Sequence, residues 1–208
     1  MLSGLLTLVG SSSLNAQLLY RGNLIIDPYY GFPNFSTFYM YNYLPISDFE
    51  SVDRLGIGPW GVRVEYLLTD KLGITLDGIH NSGKITEVKE YETYDAENNI
   101  IVESYTHRAK MDRYRFQVGL NFHTTPAHPM MDFYYGAAIG SNYRTWSLDT
   151  GDDPFYYDDF DFENLGVFIP LSLRLRLGGR YYFDDVFGIN MELGLGGPLL
   201  SAGLSIKF

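Results

Sequence analysis

Alternation of apolar and polar side chains with period 2 runs from about Gln17 to Phe208, and it constrains this chain more than any other feature. Successive side chains of a strand point to opposite faces, so the pattern writes strands with two unlike faces. The clearest stretch puts Val167, Ile169, Leu171, Leu173, Leu175 and Leu177 on one face. Phe168, Pro170, Ser172, Arg174, Arg176 and Gly178 share the other. Tyr114, Phe116, Val118, Leu120 and Phe122 likewise alternate with Arg113, Arg115, Gln117, Gly119, Asn121 and His123. Eight segments carry the pattern, at about 20–32, 56–69, 72–92, 100–123, 131–147, 164–182, 187–196 and 198–208. No helical period competes with it, and no repeat of solenoid length is visible.

The connections differ in length. Thr69-Asp70-Lys71, Thr124 to Pro129, Phe183 to Val186 and Gly196-Gly197-Pro198 are short. Those after the first, third and fifth segments are longer, at Pro33 to Leu55, Lys89 to Ser104 and Leu148 to Glu163. Short turns at one end and long loops at the other are what membrane barrels show, the short turns being periplasmic.

Alternation does not say which face is inside, since a soluble barrel or sandwich turns its apolar face inward. Four features favour the opposite arrangement. The polar face holds Gly119, Gly136, Gly140, Gly194 and Gly203, which a narrow barrel interior needs and a solvated surface does not. The same face carries both signs of charge. Arg63, Arg113, Arg115, Arg174 and Arg176 would meet Asp27, Glu65, Asp77, Asp132 and Glu192 in the lumen, where charges must be paired. Aromatics gather near segment ends. Phe122, Phe133, Tyr181, Tyr182, Phe183, Phe187 and Phe208 lie toward the short turns, and Trp60, Tyr143, Trp146 and Phe168 toward the loops, as two interfacial girdles would. Finally, no apolar run of about 18 residues is present, and a closed barrel is the other way to span lipid.

Leu2, Leu5, Leu6, Leu8 and Val9, then Ser11 to Ser13 and Leu14-Asn15-Ala16, read as a secretory signal cleaved after Ala16. No Lys or Arg precedes the apolar stretch and Leu14 holds the −3 position, departures that a truncated start would explain. Residues 17–208 then form one domain.

The end of the chain carries a resemblance. Ser201, Gly203, Ile206 and Phe208 match the terminal strand signal of outer-membrane proteins: polar residue, Gly two positions on, apolar alternate positions, terminal Phe. The whole region resembles small barrels of the OmpA/OmpX type, in architecture rather than in residue identity. The resemblance implies an eight-stranded antiparallel up-and-down transmembrane β-barrel, integral in a bacterial outer membrane. It also implies outer-membrane lipid around the barrel and the barrel-assembly machinery as reader of the last strand.

Composition narrows the function. A chain without cysteine has no disulfide framework, zinc–thiolate site or thiol nucleophile. A net charge of −10 argues against nucleic acid. Some barrels of this size act on envelope lipids with Ser, His and an acid. Of His80, His107, His123 and His128, only His80 has a serine, Ser82, on its own face, so no catalytic residue is assigned. Asp152, Asp153, Asp158, Asp159 and Asp161 form a candidate contact or cation site on a loop, without EF-hand spacing; no metal or cofactor is expected. Eight strands enclose a space just wide enough for side chains, which disfavours a wide pore. The expectation is a structural or interaction barrel with a charge-packed lumen and loops open to a protein partner. The alternatives are an envelope-lipid-modifying enzyme and a soluble lipocalin-like ligand binder.

Overall fold

A computed structural model of the chain describes residues 19–36, 40, 52–124, 128–151, 153 and 170–208. The segment expected to be a signal lies outside them. Eight strands form one closed antiparallel barrel in chain order. They are β1 (Leu24–Phe32), β2 (Val52–Thr69), β3 (Leu72–Tyr94), β4 (Ile100–Thr124), β5 (Met131–Asp149), β6 (Leu171–Tyr182), β7 (Phe187–Leu195) and β8 (Leu200–Lys207). Closure comes from β1 pairing with β8, Ile26 opposite Ile206 and Tyr30 opposite Ala202. All eight expected segments are strands, differing at their ends; the start of the sixth, 164–169, lies outside the described residues.

Local chemistry closes the turns. Thr69 Oγ1 accepts from the backbone N–H of Lys71 and Leu72 between β2 and β3. Asp184 Oδ1 accepts from Val186 and Phe187 between β6 and β7. Gly196 turns β7 into β8 at φ 81°, and a Cβ there would lie 1.7 Å from the Leu173 carbonyl oxygen. Glycine is required on two counts, backbone conformation and space.

The polarity is inside out relative to a soluble protein. Asp27, Arg63, Glu65, Asp77, Arg174, Arg176 and Glu192 are buried in the lumen. Phe116, Leu173, Leu175, Leu177, Met191 and Leu204 are exposed on the outside. The glycines on the inner face let the strands and lumen side chains approach. A Cβ on Gly136 would meet Asn121 Oδ1 at 2.3 Å, and one on Gly140 would meet the Phe116 carbonyl at 1.8 Å.

Two residues assigned to the aromatic girdles point inward. Tyr182 is fully buried, because it continues the inward register of Arg174, Arg176 and Arg180. Trp146 occupies an even position of β5, whose outward positions are odd, and it packs on Ile85, Ala109 and Met111. Phe168 lies outside the described residues. A closed, even-stranded barrel with an apolar exterior, short turns at one end and long connections at the other is a bilayer-spanning barrel of the outer-membrane type.

Candidate functional site

Two clusters of charge fill the lumen. Toward the short turns, Arg180 of β6 binds three carboxylates. Its Nη1 lies 2.8 Å from Asp132 Oδ2, and its Nη2 lies 2.7 Å from Asp27 Oδ2 and 2.5 Å from Glu65 Oε2. His123 of β4 bridges two of these, with Nδ1 2.8 Å from Asp132 and Nε2 2.9 Å from Glu65. Ser205 donates to Asp27 and Asn121 to Glu65. The Arg180 guanidinium lies 4.4 Å above the Tyr134 ring, a cation–π contact that also covers its face.

At mid-height, Arg63 and Arg174 share Asp77 and Glu192. Arg63 Nη1 is 2.6 Å from Glu192 and its Nη2 3.2 Å from Asp77. Arg174 reaches the same two at 2.5 and 3.1 Å. Arg176 lies 3.4 Å from Asp77 and donates to Asn121 Oδ1 and Thr75 Oγ1. Tyr29 donates to Asp77 and Tyr134 to Glu192, so each carboxylate also holds a phenol. Removing one member of such a set strands the others in a dry interior.

Two further arginines lie toward the loops. Arg115 donates to Asn81 Oδ1 and the Gly196 carbonyl, and Arg113 to Asn142 Oδ1. Of the ten lumen positions singled out in sequence, the structure brings eight into the two carboxylate clusters: Asp27, Arg63, Glu65, Asp77, Asp132, Arg174, Arg176 and Glu192. Arg115 meets neutral acceptors, and Arg113 bonds the Asn142 amide oxygen. Arg180, His123, Tyr29 and Tyr134 belong to the network but not to that set. Arg180 was legible two positions beyond Gly178 in the same alternation, and His123 on a polar face. Tyr29 and Tyr134 carry no such signal, since tyrosine suits either face.

Apolar layers bound the network. Met40, Ile85, Ala109 and Met111 pack together above it, with Trp146 and Leu148 against them. Leu19, Ile25 and Leu67 pack together below.

On the outward face, His80 does not pair with Ser82. Its Nε2 lies 3.1 Å from Asp112 Oδ1, and its buried Nδ1 has no hydrogen-bond partner. Nucleophile and base are therefore not joined. Of the acidic loop positions, Asp152, Asp158, Asp159 and Asp161 lie outside the described residues. Asp153 is described, and it ties its connection to the β3–β4 hairpin. Its Oδ2 accepts from Tyr91 Oη at 3.0 Å and lies 2.8 Å from His107 Nε2. Burial, then the hydrogen bond to Asp153, pushes the Tyr91 phenol above its ordinary range. Among the described residues no three His, Asp or Glu side chains are placed to hold a metal ion. Ser201, Gly203 and Ile206 lie in β8, Ser201 buried toward the lumen, and Phe208 is exposed just beyond it.

No protein-family model and no curated protein matches the chain. Solved structures to which it is similar include the outer membrane protein OprG of Pseudomonas aeruginosa, at 12% identity and TM-score 0.46 over 92% of this chain and 98% of that one. The N-terminal β-barrel domain of OprF from the same organism is similar at 11% identity and TM-score 0.35, over 91% and 99%. Ail, the attachment invasion locus protein of Yersinia pestis, is similar at 9% identity and TM-score 0.33, over 90% and 99%.

Proposed function

We propose that this outer-membrane barrel is an interaction protein, with its lumen as a rigid filling and its β3–β4 hairpin as the working surface. The length of that hairpin carries the reading. A membrane-spanning strand needs about 9–11 residues, whereas β3 has 23 and β4 has 25. Pairing of β3 with β2 ends at Glu87, and pairing of β4 with β5 ends at Arg108. Among the described residues, the ribbon from Val88 to Thr106 then continues as two strands alone, through Glu92 opposite Val102 to Tyr94 opposite Ile100.

Tyr94, Ile100 and Val102 are exposed on it. Its charge is one-sided, with Lys89 against Glu90, Glu92, Asp95, Glu97 and Glu103. Apolar side chains ringed by acid, held well clear of the bilayer, suit a protein partner with a basic rim. The lumen supports the same reading, because its charges are bonded to one another rather than arrayed along a path.

The test replaces Val88–Thr106 by an Asn-Gly turn joining Glu87 to His107, which are already cross-strand partners. The shortened barrel should keep a boiling-dependent gel shift. A photo-crosslinker at Val102 of the full chain should give one discrete adduct on intact cells. No adduct, together with loss of the gel shift on shortening, would make the hairpin a structural part of the barrel and overturn the reading.

A further inference from the structure

Register arranges the outward side chains of β2 to β5 in rows. Val62, Gly78, Phe116 and Ser141 form one row, and Trp60, His80, Tyr114 and Tyr143 form the next toward the loops. Trp60, Tyr114 and Tyr143 are exposed, and the His80 ring lies 5.6 Å from Trp60 and 4.7 Å from Tyr114. Amphipathic rings above an apolar band mark the boundary between hydrocarbon and headgroups.

Two rows further out, Lys84 of β3 stands directly opposite Lys110 of β4, flanked by Leu55 and Ser147. Directly opposed residues have Cβ atoms about 4.5–5.5 Å apart, and like charges there repel. A nearby acid matches only one of the two. Asp112 lies 2.7 Å from Lys110 Nζ, and its other oxygen holds His80 at 3.1 Å. In the next row Arg108 and Asp149 are occupied with each other at 3.2 Å. Among the described residues Lys84 has no carboxylate within ion-pair distance. Four residues beyond His80 correspond to roughly 13 Å of strand, or about 10 Å along the membrane normal at the usual tilt. Lysine stems reach back part of that height, toward the headgroups.

We propose that Lys84 and Lys110 clamp the phosphate of an anionic lipid in the outer leaflet. The proposal rests on the membrane-spanning reading of the barrel. Location selects the occupant: this face meets lipid, and lipid phosphate is the anion at that depth. Asp112 fixes the Lys110 ammonium, while Lys84 supplies the uncompensated charge.

The test uses the full chain folded in non-ionic detergent, with native mass spectrometry of added diphosphorylated lipid A, its dephosphorylated form, and inorganic phosphate. Both lysines are off the lumen network, so Lys84→Ala/Lys110→Ala should keep the boiling-dependent gel shift. Affinity for the phosphorylated lipid should fall about fivefold per lysine and roughly 25-fold in the double variant. Lys71→Ala, in the turn at the opposite end, should change nothing. Equal affinity in wild type and double variant, or equal affinity for the dephosphorylated lipid, would overturn the clamp. Lysine-dependent binding of inorganic phosphate without lysine-dependent binding of lipid would reduce it to a free-anion site. Absence of the gel shift in wild type would sink the membrane reading itself, on a separate measurement.

Discussion

Arg180 carries more of the lumen than any other side chain, because it alone binds Asp27, Glu65 and Asp132. His123 retains Glu65 and Asp132 if Arg180 is lost, but Asp27 keeps only Ser205. Breaking a buried pair by removing one partner costs about 3–5 kcal/mol. Arg180→Leu should therefore lower the urea midpoint of the folded, heat-modifiable band by a corresponding amount. An unchanged midpoint would mean that water or a neighbouring cation replaces the guanidinium without loss. Arg115 provides the contrast: it meets neutral acceptors, and its removal leaves no carboxylate stranded. This distinction was not legible in sequence. Alternation placed Arg115, Arg174 and Arg176 on polar faces, but height within the lumen decides which of them find acids.

Among the elements, the β3–β4 hairpin depends on its own tip. Asp95 accepts from the Asn99 side-chain amide at 2.9 Å and from the backbone N–H of Asn99 and Glu97. Asn98 takes φ 65° inside that turn. These bonds, the Asn99 amide first, hold the Asp95 carboxyl below its ordinary range. A carboxyl lowered in the folded state stabilises above its unfolded value of about 3.9 and ceases to as pH falls through the lowered one. Amide-exchange protection at Asn98 and Asn99 should thus be flat from pH 8 to 5 and fall only below about 4.

For the whole molecule, eight strands leave a lumen that side chains fill. The charged clusters lie between two apolar layers, Met40, Ile85, Ala109 and Met111 at one end and Leu19, Ile25 and Leu67 at the other. A permeating ion would have to break bonded pairs and cross both layers. Reconstituted in a planar bilayer, the protein should show no steady unit conductance. Discrete, long-lived openings would require the lumen clusters to separate and would return a transport role to consideration.

Leu171 to Leu177, facing out along β6 beside an inward Arg174 and Arg176, illustrate what sequence determines by itself. Period 2 fixes the faces of a strand, because each residue reverses side-chain direction. Eight strands and their boundaries within a few residues followed from that, and the inverted polarity from the glycines, charges of both signs and aromatics those faces carry. Tyr182 and Trp146 show the limit: an aromatic near a strand end fits a girdle or a lumen equally well, and only register assigns it. The same holds for Lys84 and Lys110, which are 26 positions apart in sequence and adjacent only through β3–β4 pairing. Faces are a local property of the chain. Which charge meets which across the barrel, and which like charges stand side by side, are set by strand pairing and stagger, and these exist only once the barrel closes.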